Sequence, residues 1–193
     1  MYDVLEGRSI RLRKARESDY ESMLHYVWSD PDVYQWMLYQ PTLTKEEALA
    51  RCRRSIAYQK EHFNYFVALR ETDEAIGLCG VQEWEPGRYE ESGICIGTAF
   101  QGRGYGKEIL SLLLDLSFRG LDAKDFLYSY FPENQRSKRL AEGFGFHFDH
   151  VYELVRPWDG AVKTIEACLL ERDEYFRREQ SLRMALGALD LHA

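Results

Sequence analysis

ESGICIGTAFQGRGYGKEILSLLLDLSF, residues 91–118, changes its hydrophobic period halfway along. Over Glu91–Thr98, Ile94 and Ile96 share one face, the alternation of a strand. Over Lys107–Phe118, Ile109, Leu112, Leu113 and Leu116 form an apolar helical stripe, and Gly120 closes it. Between the two lies a loop with Gly102, Gly104 and Gly106. Glycines let the backbone turn tightly and bring its N–H groups against a ligand, and the helix that follows adds the positive end of its dipole. A pyrophosphate suits such a loop, with Arg103 and Lys107 adding charge at the rim; a plain strand-to-helix turn would also need small residues. Two familiar phosphate loops are excluded. Gly106-Lys107 is followed by Glu108, where a Walker loop requires Ser or Thr, and the dinucleotide fingerprint needs another glycine spacing inside a βαβ unit.

On the N-terminal side, Arg8–Lys14 alternates as a strand, with Ile10 and Leu12 on one face and Arg11 and Arg13 on the other. A capping-box pattern at Ser18–Glu21 opens a short helix to about Trp28, and Asp30-Pro31 starts a further helical turn. A second capping box, Thr44–Glu47, opens a helix to about Glu61 carrying Leu49, Cys52 and Ile56. Tyr65–Arg70 and Ala75–Trp84 read as strands of a meander that Glu91–Thr98 completes. On the C-terminal side, Asp125–Phe131 is an aromatic-rich strand and Asn134–Phe144 a short basic helix. His147–Arg156 and Val162–Glu171 form a hairpin around Asp159-Gly160, and Glu174–Leu189 reads as a terminal helix. The order predicts a mixed α+β fold around a largely antiparallel sheet.

At 193 residues the chain has room for one domain with a sizeable core. Its formal net charge of -7 argues against sequence-independent nucleic-acid binding, which needs a basic face. No stretch approaches a membrane span, and the first residues lack the basic and apolar regions of a secretion signal. Cys52, Cys79, Cys95 and Cys168 are scattered without metal-ligand spacing, so the expectation is reduced, buried thiols in a cytoplasmic protein with no metal. Aromatic residues make up 14% of the chain. They concentrate between Tyr20 and Tyr39, as a bulky core or as the lining of a pocket.

Gln101-Gly-Arg-Gly-Tyr-Gly106 resembles the Gln/Arg-x-x-Gly-x-Gly/Ala signature of the GNAT (Gcn5-related) N-acetyltransferase superfamily. Glu91-x-Gly93 before it, and Glu108, Asn134-x-x-Ser137 and Gly145-Phe146 after it, are similar to the ribosomal-protein N-acetyltransferase type, as are Ile10–Arg13 and Arg172–Tyr175. The likeness spans about residues 8–176, in family order. It implies a GNAT fold, a splayed central sheet flanked by helices, forming one acetyltransferase domain over residues 1–176 with a helical extension over residues 177–193.

The resemblance further implies an acetyl-CoA-dependent N-acetyltransferase that passes the acetyl group directly to a primary amine, either a small molecule or a peptide N-terminus. Gln101, Gly102, Arg103, Gly104, Tyr105, Gly106 and Lys107 would hold the pyrophosphate. Backbone groups of Ile94, Ile96 and Thr98 would pair with the pantetheine arm, and Asn134 would reach it, although Asn134 also reads as a plain helix cap. Ser137 would hydrogen-bond the departing thiolate. An alkyl ammonium must lose a proton before it attacks, and a carboxylate is the usual base; the candidates are Glu91, at the family position, then Glu83 and Glu85. Many family members carry a tyrosine acid four residues beyond Ser137, but Ala141 stands there. That departure keeps open the alternative of a non-catalytic module that binds acetyl-CoA. Tyr128 and Tyr130 share a face of their strand and are expected in the core. The terminal segment would dock on its own domain, pair with a second copy in a homodimer, or fray.

Overall fold

The computed structural model describes residues 2–180. Eight strands form a single sheet: β1 (Val4–Glu6), β2 (Ile10–Arg13), β3 (Phe63–Leu69), β4 (Ala75–Glu85), β5 (Arg88–Ile96), β6 (Asp125–Tyr130), β7 (His147–Val155) and β8 (Val162–Glu171). Their order across the sheet is β1-β2-β3-β4-β5-β6-β8-β7, and every neighbouring pair is antiparallel except β5 and β6. This is the expected α+β architecture. Helix α4 supplies the crossover that a parallel pair requires.

The helices are α1 (Tyr20–Met23), α2 (Pro31–Tyr34), α3 (Lys45–Tyr58), α4 (Tyr105–Asp115) and α5 (Gln135–Phe144). Wider π-type turns extend α1 through Leu24–Trp28 and α4 through Leu116–Gly120. The Thr44 box forms as read: Thr44 Oγ1 accepts from Glu47 N, and Glu47 Oε2 accepts from Thr44 N. The Ser18 box does not. Helical structure starts earlier, at Glu17, and Asp19 reaches back to accept from Arg16 N at 2.7 Å. The reason is Arg13, whose guanidinium grips both Asp19 carboxylate oxygens at 2.8 Å. Arg13 lies on the face expected, but Asp19 and Asp73 take the place of water there: Arg13 is 2% exposed and Asp19 5%.

Each face of the sheet carries its own core. On one face Ile10, Leu12, Tyr65, Ile76 and Phe126 pack against Ile109, Leu110 and Leu113 of α4. Residues 172–180 are helical, and Tyr175 joins this core by stacking on Phe118. The rest of the expected Glu174–Leu189 helix lies outside the described residues. On the opposite face Met23, Val27, Trp28 and Cys52 pack on Phe66 and Cys95. Trp28 is fully buried, whereas Tyr34 and Trp36 reach away from this core, to Trp158 in the β7–β8 turn and to Phe131 at the end of β6. All four cysteines are buried and free.

Candidate active site

The site begins where the ladder between β5 and β6 stops. Parallel pairing runs through Arg88–Asp125, Tyr89–Phe126 and Glu90–Leu127 and goes no further. Arg88 pins the closed end, its Nε 2.8 Å from Asp125 Oδ2. Beyond Glu90 the strands part because β5 is bent away by a bulge. Cys79 faces Ile94 and Val81 faces Glu91, so Gly80 alone stands opposite Ser92 and Gly93. Gly93 adopts φ +109°, a conformation closed to residues with a Cβ, and Met37 packs 3.4 Å from where that Cβ would sit.

The open stretch of β5 presents its backbone to the gap. Gly97 N donates to Ile76 O of β4, so by strand alternation Cys95 also faces β4 while the amides of Ile94 and Ile96 face β6. The Ile96 carbonyl is taken by Gln101 Nε2 at 3.0 Å; among the described residues its N–H, and both groups of Ile94, have no partner across the gap. The strand was expected to begin at Glu91 and to reach Thr98. It begins at Arg88 and ends at Ile96, and Thr98 opens a 3-10 turn closed by Phe100 N donating to Gly97 O.

That turn leads into the glycine loop. Gly102 and Gly104 have φ of +78° and +84°, and a Cβ on either would meet nothing within 4 Å. Backbone shape and not crowding therefore demands glycine at both. Among the described residues the N–H groups of residues 102 to 106 have no acceptor, and the first helical amides to find one are Lys107 and Glu108, both bonded to Gly104 O. The result is a concave run of free donors at the start of α4, a fit for an anion. Arg103 and Lys107 are exposed at its rim. Gln101 braces the loop from below, accepting from Arg136 of α5 while it donates to Ile96 O. Glu108 points the other way, accepting from Ser9 N and Ile10 N and anchoring α4 to β2.

At the mouth of the gap stands Glu91. Its carboxylate accepts from Gly93 N at 2.5 Å. Burial raises its pKa to about 8; the N–H donors of Gly93 and of Ser129 on β6 pull the other way, and Glu90 adds to the rise. Glu83 is not brought to this point. It sits near the end of β4, where Oε1 reaches the following turn and accepts from Gly87 N at 2.7 Å. Across the gap, Asn134 Oδ1 caps α5 by accepting from Ser137 N at 3.2 Å. The Ser137 hydroxyl lies 2.6 Å from that of Tyr128, a contact that alternation along β6 did not reveal, because α5 supplies the partner.

A mostly antiparallel sheet that opens beside an amide-lined turn, with a carboxyl of raised pKa at the opening, defines an acyl-transfer scaffold. The family model described as Acetyltransferase (GNAT) domain matches residues 9–147, and the chain belongs to that family of acyltransferases. It is 28% identical over 148 residues to the uncharacterized N-acetyltransferase p20 of Bacillus licheniformis, covering 75% of this chain and 82% of that one. Among solved structures it is similar to a GCN5-related N-acetyltransferase from Brucella melitensis, with a TM-score of 0.80 and 19% identity over 95% of this chain and 85% of the other. The ribosomal alpha-N-protein acetyltransferase RimL in complex with coenzyme A superposes with a TM-score of 0.72 and 18% identity, over 87% of this chain and 97% of the other.

Proposed function

We propose that this protein is an acetyl-CoA-dependent N-acetyltransferase that transfers the acetyl group directly to a primary amine. The observation that carries the reading is that, among the described residues, the unpaired amides of Ile94 and Ile96 and the N–H groups of residues 102 to 106 without acceptors lie on either side of one short turn. One element suits an amide-bearing arm and the other a pyrophosphate, with Arg103 and Lys107 meeting its outer charge. Acetyl-CoA supplies the activated thioester. Asn134 keeps its Nδ2 for the arm, since only its Oδ1 is committed to the cap. Glu91 serves as the base that takes the amine proton, and Ser137 is the donor to the departing sulfur.

The acceptor meets the gap from the face covered by α2. Met37 packs at Gly93, Trp36 lies 6.4 Å from Phe131, and Arg156 ties the β7–β8 turn down by donating to Gln35 O at 3.0 Å. RimL acts on a ribosomal protein, and a peptide N-terminus is accordingly one acceptor class for this chain. The other is a small-molecule amine. Four free, buried thiols fit a reducing cytoplasm. Calorimetry with acetyl-CoA and thiol release against a panel of amines and peptides test the reading. Micromolar binding with amine-dependent thiol release is expected; binding with no release above hydrolysis would identify a non-catalytic binder.

A further inference from the structure

The direction of the Ser137 hydroxyl hydrogen is a matter of hydrogen-bond accounting. Its oxygen lies 2.6 Å from the Tyr128 hydroxyl and makes no other hydrogen bond among the described residues. One of the two hydroxyls therefore donates to the other. A phenol is the stronger donor and the weaker acceptor, because its oxygen lone pair is delocalised into the ring. Burial raises the pKa of this phenol and keeps it protonated; the contact with Ser137 pulls the other way without offsetting it, and Glu91 adds to the rise. Tyr128 is also fixed in place: it is 3% exposed and its ring packs 5.6 Å from Phe146 and 6.2 Å from Tyr130. With Tyr128 as donor, the Ser137 hydrogen is left free to turn into the gap between β5 and β6.

We infer that Tyr128 is a positioning residue for acetyl transfer, its hydroxyl donating to Ser137 Oγ and so aiming the Ser137 hydrogen at the departing sulfur of coenzyme A. The inference rests on the acetyl-CoA reading above. In the transfer the amine nitrogen bonds to the acetyl carbon, the carbon–sulfur bond breaks, and its electron pair stays on sulfur. The amine proton goes to Glu91. Ser137 meets the new thiolate with a hydrogen bond, and the Tyr128 donor strengthens it by drawing charge from the serine oxygen. Neither hydroxyl changes its proton count, so the pair needs no outside acid. The arrangement also accounts for Ala141, which is 1% exposed within the core: the phenol comes from β6 and not from α5.

The thiol of bound coenzyme A reports this directly, through the ultraviolet absorbance of its thiolate as pH is raised. The experiment compares the unaltered protein with Tyr128→Phe, Ser137→Ala and the double variant. Glu91, the titratable side chain that bears on the pair, is present in all four, so its own titration is common to them. The unaltered protein should hold the thiol pKa below that of free coenzyme A. Tyr128→Phe removes one oxygen and keeps the ring; it should raise the bound thiol by about one pH unit, a tenfold effect. Coenzyme A affinity at pH 6, where the sulfur is protonated, should not change. In the Ser137→Ala background Tyr128→Phe should add nothing, since Tyr128 acts only through the serine. An unchanged thiol pKa in Tyr128→Phe, or a full further rise in the double variant, overturns the inference and leaves the acetyl-CoA reading standing. Failure of the unaltered protein to bind coenzyme A overturns both.

Discussion

Replacing Glu91 with glutamine is expected to slow acetyl transfer and, above about pH 5, to stabilise the fold. Both effects follow from desolvation of the carboxyl, which raises its pKa to about 8. At that value about one carboxyl in ten is ionised at pH 7 and about one in a hundred at pH 6. With the carboxylate as base, kcat/KM should climb about tenfold per pH unit and level off above pH 8. A weakly basic aromatic amine as acceptor stays neutral throughout, so the limb belongs to the protein. In Glu91→Gln the side-chain amide would still accept from Gly93 N but could take no proton, and turnover should fall by about 100-fold or more, with the limb abolished. The stability change follows from linkage. Below pH 4.5 the group is protonated in both states, and parent and variant should be equivalent. As pH rises from 4.5 to 8 the unfolded chain ionises while the folded one holds its proton, so the native protein loses stability relative to the variant. The full shift corresponds to a few kcal/mol, present in full above pH 8. Thermal melts at pH 4.5 and pH 8.5, beside the pH–rate profile, read both effects. A variant that keeps the limb refutes the base assignment, and one that melts lower than the parent at pH 8.5 refutes the account of the pKa.

Gly104→Asp places a Cβ at φ +84° and a negative charge among the free amides, so calorimetry should show acetyl-CoA binding lost; retained binding would remove the loop from the site. Arg13→Met leaves Asp19 buried without its bidentate partner and should cost about 3–5 kcal/mol in urea unfolding; an unchanged midpoint would remove the pair from the fold's stability. Thr44→Ala deletes the cap of α3 and should cost about 1 kcal/mol with kinetics unchanged, since the cap lies outside the gap. Trp36→Ala removes the ring beside Phe131, on the side proposed for the acceptor, and should raise KM for the amine while leaving KM for acetyl-CoA in place; the reverse pattern would relocate the acceptor.

Elements whose cause is local were legible from residue order. The strand borders near Ala75, Asp125, His147 and Val162 fell within a residue of their observed places, because turn residues and period changes sit in the chain itself. The glycine loop was readable for the same reason: positive φ is a property of single residues. The failures involve partners distant in the chain. Ser18 looked like a cap, but a guanidinium from β2 captured Asp19 and moved the helix start. Glu83 and Glu91 looked like comparable acids, and strand register separated them, leaving one at the end of β4 bonded to the turn and the other at the mouth of the gap.

Sequence alone determined the family, the α+β order and the loop with its donors, since each depends on which residues follow one another. Tertiary structure decided the rest. The gap exists because pairing between β5 and β6 ends at Glu90, and it ends there because Gly80 must face two residues of β5. Glu91 acquires its raised pKa from burial against another strand, and Ser137 its phenol from another element. Register, burial and hydrogen-bond partners are relations between segments far apart in the chain. Packing sets them, and packing is where this sheet becomes a site.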